Sequence, residues 1–209
     1  MKNVICVGNA VLDHIFQVPQ IPKIPTKCFA KNYLQASGGT TLRAAVAIKR
    51  SGGMAVFWGR LGDDHNGDLI LDELQELGVD VRDVIRQQDV KSGVSSVLVD
   101  SKGERLITNY NDPKLNSDAY WLPLERLKES HAVLVSFGWY EGSIKTLRRA
   151  QELGIPTILD ADLSSGGFNE DIIRSATHVL FSQPALYKFT AGMSTEKALN
   201  YAMELNRGW

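Results

Sequence analysis

Cysteine is almost missing from this 209-residue sequence: Cys6 and Cys28 are the only two, and they fit no metal-ligand spacing. A disulfide framework is excluded, and reduced thiols in a cytoplasmic protein are the expectation. An excess of charge of one sign is missing too. Lys and Arg number 23 against 24 Asp and Glu, a net charge of −1, so no overall basic field draws the chain to nucleic acid or an anionic membrane. Charged residues are interspersed, as on a solvated surface. No apolar run approaches membrane-spanning length. Val4 to Val7 is too short for a signal-peptide core and is followed by the polar Asn9 and Asp13. Internal repeats and low-complexity segments are likewise absent. What is there is 44% hydrophobic sequence, enough for one compact domain with a substantial core.

The chain reads as organised around Ser37-Gly38-Gly39-Thr40-Thr41-Leu42-Arg43. Two adjacent glycines permit positive φ and close approach, and Thr40 or Thr41 is expected to cap the helix that follows. Leu42, Ala45, Val46 and Lys49 share one helical side, and Gly52 supplies the stop. A helix start opening from such a bend favours oxygen-rich ligands.

In chain order, Val4 to Val7 suits a strand buried on both faces, ending at Gly8, with Asp13 five residues on, where a ligand crevice opens. His14 to Val18 alternates as a half-exposed strand; Pro19, Pro22 and Pro25 make an irregular connection; Lys27 to Gln35 is strand-like again. Met54 to Trp58 is a second core strand, Gly59 to Gly67 a polar loop, and Asp68 to Leu77 an amphipathic helix. Val94 to Asp100 and Glu104 to Tyr110 form a hairpin around Ser101-Lys102-Gly103. The strand–helix rhythm resumes with strands at 133–135, 157–159 and 178–181 and helices at 143–153, 169–175 and 194–206, which predicts a parallel sheet. The two-sided strands, at about 14–36 and 93–111, suit a small accessory sheet inserted in that α/β core.

Gly8 to Asp13, the Gly38-Gly39 bend, Gly59-Arg60-Leu61-Gly62-Asp63-Asp64 to Gly67, the hairpin and Asp160 together resemble the ribokinase-like (PfkB) carbohydrate kinases. Lys27, Lys102-Gly103-Glu104-Arg105 leading to Asn109-Tyr110, and Ser182-Gln183-Pro184 are most similar to the sulfofructose-kinase-like branch. The resemblance implies a three-layer α/β/α sandwich with a β-sheet lid, here a single incomplete kinase domain over 1–209. It also implies phosphorylation of a sugar hydroxyl with ATP and Mg²⁺, and a homodimer formed through the lid.

Carried over residue by residue, the resemblance makes Asp13 an acceptor for sugar hydroxyls and sets the backbone of Gly38 and Gly39 against the sugar. Arg43 stands where many members have a sugar-binding asparagine. Lys27 and Asn109, on lid strands, match positions that would hold an anionic end of the substrate. Gly138 replaces a cation of that branch, and Trp139 beside it is expected to stack on a sugar face. Asp160, Asp162 and Ser182 are expected near the nucleotide phosphates, with Ser182 and Ala185 replacing an asparagine and a glutamate used near Mg²⁺. Asp63, Asp64 and His65 lack ligand geometry and read as loop and N-cap residues. No Gly-Ala-Gly-Asp segment follows Gly192, so the catalytic base is expected beyond Trp209 and the 209 residues alone are expected to be inactive. The reading is a sugar kinase for a ketose-like or anionic sugar, with this chain as its sugar-binding portion. A non-catalytic sugar-binding or regulatory relative is the alternative. A dinucleotide fold is disfavoured, because Gly8 lacks the second and third glycines of that turn.

Overall fold

The structure, a computed structural model, describes residues 2–115, 117–164 and 167–206. Two sheets dominate it. The core sheet is built from β1 (Asn3–Val7), β4 (Met54–Trp58), β9 (Ala132–Ser136), β10 (Thr157–Ala161) and β11 (His178–Phe181), in the order β11-β10-β9-β1-β4. Every pairing in it is parallel. Alternate residues divide its core between two faces. Ile5, Val7, Val56, Trp58, Val133 and Val135 join one apolar cluster, while Cys6, Ala55 and Phe57 join the other. Helices α1 (Thr40–Arg50) and α2 (His65–Glu76) cover the second face through Leu42, Ala45, Ile70 and Leu74. The first is covered by α3 (Tyr140–Glu152) and α4 (Glu170–Arg174) through Ile144, Leu147, Ile172 and Ile173. The result is the expected three-layer α/β/α arrangement. Burial on both faces is why β1, β4 and β9 carry continuous apolar runs, whereas the edge strand β11 leaves His178 and Leu180 exposed.

The second sheet joins β2 (Val11–Gln17), β3 (Asn32–Gly38), β7 (Gly93–Val99) and β8 (Arg105–Tyr110) in the order β3-β2-β7-β8. Its outer pairs are antiparallel, but its central pair, β2 with β7, is parallel. All of β8 and the first four residues of β3 are exposed. This sheet stands where the accessory sheet, the lid of the resemblance, is expected.

The structure revises several local expectations. The 27–31 stretch is not strand: β3 starts at Asn32, so Lys27 lies in the irregular connection before it. The Gly59–Gly67 loop contains β5 (Arg60–Gly62), which pairs in parallel with β6 (Ile85–Gln87). A further helix, α5 (Gln183–Phe189), precedes the last one, α6 (Thr195–Leu205), because Pro184 sits in its first turn, where a missing N–H costs nothing. Residues 207–209, where the C-terminal end of the chain was read, lie outside the described residues.

Candidate functional site

The site gathers at the C-terminal tips of the core strands, where they meet the lid. Gly38 closes β3, and Gly39 is the N-cap of α1 at φ +107°, so the chain enters the helix through a left-handed bend that only glycine adopts easily. The expected threonine cap is not formed: no side chain caps this helix. The Thr40 hydroxyl instead hydrogen-bonds Asp160, tying the helix start to the tip of β10. The Thr41 Oγ1 is fully buried and packs against Gly8, with no partner among the described residues.

Asp13 reaches the same bend from the lid. It lies on β2 rather than in a loop, and a side chain on Gly38 would collide with its carboxylate. Ser95 Oγ donates to Asp13 Oδ1, and Arg43 Nη2 lies 3.3 Å from Oδ2. Strand register explains the constellation. Ala36, Asp13, Ser95 and Asn109 form one row across the lid, so their side chains share a face. Asn109 is thereby placed two strands from Asp13, on exposed β8. Lys27 is not in this row. The paired part of β2 and β3 ends at Gln17 and Asn32, four residues beyond Asp13 and Ala36, and Lys27 lines a shallow proline-bounded cavity of about 520 Å³ on the connection.

Asp160, Asp162 and Ser182 come together as a second group at the tips of β10 and β11. Ser182 Oγ donates to Asp162 Oδ1 at 2.6 Å while capping α5. Burial raises the pKa of Asp160, the neighbouring Asp162 charge adds to the rise, and the Thr40 hydrogen bond opposes it. The two groups therefore flank the same bend, with Asp13 on the lid side and Asp160 on the core side.

Trp139 does not present a stacking face. It is 2% exposed, its Nε1 donates to the Ser117 carbonyl at 2.8 Å, and its ring stacks on Trp121 at 5.6 Å and carries the Arg60 guanidinium at 4.1 Å. Asp64 is the N-cap of α2, accepting from Gly67 N at 2.9 Å and from Ser92. Burial pushes its pKa up, but the Ser92 and Gly67 hydrogen bonds and Arg86 outweigh that and hold it below the usual value. Among the described residues no group of three or more His, Cys, Asp and Glu could hold a metal ion. Nor is any described helix long and apolar enough to cross a membrane.

Sequence reasoning missed Ser95, Asn9 and Arg60. Ser95 shares the buried face of β7 with Gly93 and Val97 and is 3% exposed, but the adjacent Ser96 is exposed, and the sequence alone does not tell the two serines apart. Arg60 carried no signal, because a cation between glycines reads as loop.

A glycine-bent helix start, a lid carboxylate against it and a parallel core beneath define a lidded α/β fold of the ribokinase-like class. The chain belongs to the pfkB family of carbohydrate kinases, which it matches over residues 1–179. A solved chain from Agrobacterium tumefaciens, provisionally named a ribokinase, is 35% identical with a TM-score of 0.90; the match covers 97% of this chain and 66% of that one. Fructokinase-1 of Zea mays is 30% identical over 110 residues, 53% of this chain and 33% of the maize protein. The Arabidopsis thaliana ribokinase solved with ribose and ATP shares the fold at 23% identity and a TM-score of 0.74, covering 98% of this chain and 69% of its own. The chain thus spans about two thirds of the length of these solved relatives and a third of the maize one.

Proposed function

We propose that this chain carries the sugar-binding portion of an ATP-dependent sugar kinase acting on a ketose-like or anionic sugar. The observation that supports this most is the Asp13 carboxylate, carried by the second sheet, lying against the Gly38 bend at the tip of the core. A carboxylate accepts hydrogen bonds from adjacent hydroxyls, and a backbone without a Cβ lets a pyranose or furanose ring approach. Arg43 adds a cation beside the same cradle, and Asn109 in the Asp13 row adds an amide, so a sugar bearing an acidic group fits as well as a neutral one. The lid would exclude water, which competes with the sugar hydroxyl for the transferred phosphoryl group.

ATP is proposed as co-substrate, with its phosphates near Asp160, Asp162 and Ser182. The Arabidopsis ribokinase of the same fold was solved with that nucleotide. Two carboxylates and a hydroxyl are hard oxygen donors of the kind that hold Mg²⁺ through water alongside phosphates, and the ion would neutralise phosphate charge there. The exposed apolar residues Tyr33, Leu34, Leu106 and Ile107 suit a homodimer formed through the lid.

The test is ADP release by the complete gene product with a panel of ketoses, aldoses and sugar acids. ADP formation with at least one of them, lost in Asp13→Ala, is the expected result. No ADP with any sugar would overturn the reading.

A further inference from the structure

Asn9 follows the glycine that ends β1, at the seam where β1 neighbours β9 and several loops converge. Its Nδ2 donates to the Gly138 carbonyl at 2.7 Å, and its Oδ1 accepts from Arg60 Nη2 at 2.7 Å. Arginine only donates and a carbonyl only accepts, so the amide has one orientation that serves both. Its own backbone carbonyl lies where a side chain on Gly39 would have to go, so the same residue also abuts the bend at the start of α1.

Arg60 gives this arrangement a fixed base. It is 5% exposed and lies over Trp139, which is itself held by Ser117 and Trp121. Burial lowers the Arg60 pKa to about 10, still far above neutrality, so the group stays a cation and a donor. Gly138, at the other end of the amide, is exposed at the tip of β9. A buried cation packed on Trp139 is thus linked through one amide to the Gly138 loop, and that residue's main chain abuts the Gly39 bend.

We propose that Asn9 is a positioning residue of the sugar cradle, clamping the Gly138 loop and the Gly39 bend at a separation fixed by the buried Arg60. This rests on the reading of the Gly38–Gly39 bend as the sugar's seat. Asn9 touches no substrate in this scheme; it acts by keeping two loops in register. Without the amide donor the Gly138 carbonyl turns to water, and the two loops fluctuate separately.

The test is amide hydrogen exchange on the full chain for wild type, Asn9→Asp and Asn9→Ser, with D-fructose and D-ribose binding by calorimetry. Asn9→Asp keeps an acceptor for Arg60 and removes only the donor to Gly138, so the fold is retained while the clamp opens; Asn9→Ser removes both contacts. The expected result is roughly tenfold faster exchange at 39–43 and 137–142 together, with β1 and β4 unchanged, and about tenfold weaker binding of whichever sugar the wild type binds. Faster exchange at one loop alone or at neither, sugar affinity unchanged although both loops loosen, or uniform loss of protection across the core strands would each overturn the proposal. If wild type binds neither sugar, the reading of the bend as a seat for these sugars fails, and the paired exchange response still decides the clamp.

Discussion

The two sheets of this molecule are made of similar strands put to opposite uses. In the core sheet, β1, β4 and β9 bury side chains on both faces against helices, and residues such as Val7, Phe57, Trp58 and Val135 have no exposure. In the lid, β8 is exposed along its whole length, and large apolar side chains such as Ile107 face solvent. The core therefore holds most of the folding free energy, while the second sheet carries the polar row of Asp13, Ser95 and Asn109. They meet at Asp13, a lid residue whose carboxylate rests on the bend that opens a core-covering helix. A sheet with one face in solvent buries less apolar surface and is held less tightly than one covered on both faces.

That division is open to direct attack, and the largest effect is expected at the meeting point. Asp13→Ala removes an acceptor bonded by Ser95 and paired with Arg43. On the proposed sugar-kinase reading, two charge-assisted bonds to sugar hydroxyls would be lost with it, about 3–6 kcal/mol or about 10²–10⁴-fold in kcat/KM, with the melting temperature shifted by only a few degrees. Collapse of the fold in this variant would make Asp13 structural and break the contrast. Next comes the core: Leu147→Ala on α3, at a fully buried site, should cost about 2–5 kcal/mol by denaturant titration, with sugar affinity of the folded fraction retained.

Acid sensitivity should also belong to the core side. Asp80, whose backbone joins the edge of β4, accepts hydrogen bonds from Arg82, which with the Arg82 and Arg126 charges lower its pKa to about 2 against the opposing effect of burial. A folded-state value below the ordinary 3.8 stabilises the fold above that pH, and the contribution disappears as pH falls from about 4 through about 2. Asp80→Asn should flatten the stability–pH curve across that window by about 1 kcal/mol after allowing for solvent screening. An unchanged slope would place the acid response elsewhere. The smallest effect is expected on the lid surface, where Ile107→Ala at a 55% exposed site should change stability by less than about 0.5 kcal/mol. A core-sized loss there would mean that the lid is packed against something in solution.

The same contrast decides what could be read from the residues alone. Core strands announce themselves, and 54–58 and 178–181 lie where their continuous apolar runs put them. The β7–β8 hairpin was legible because alternation and the Lys102-Gly103 turn are local signals. The parallel pairing of β2 with β7 was not, since nothing in either strand names a partner some 80 residues away, and Ser95 was overlooked for that reason. Arg60 was misread as loop because its burial depends on Asn9 and Trp139, which only the folded chain brings to it. Trp139 was expected at the ligand because it stands beside Gly138, where the resembled branch has a cation; the ring turns inward, where its N–H finds the Ser117 carbonyl.

The parallel seam at the middle of the lid also has a bearing on how the protein is born. Asp13 and Ser95 are separated by 82 positions, and β4, α2 and β6 are threaded between them. A nascent chain that has emerged only as far as β6 owns a hairpin with a bare inner edge and only half of the Ala36–Asp13–Ser95–Asn109 row. That row is therefore completed late, after the first crossover of the core sheet has emerged, because its two halves are far apart along the chain.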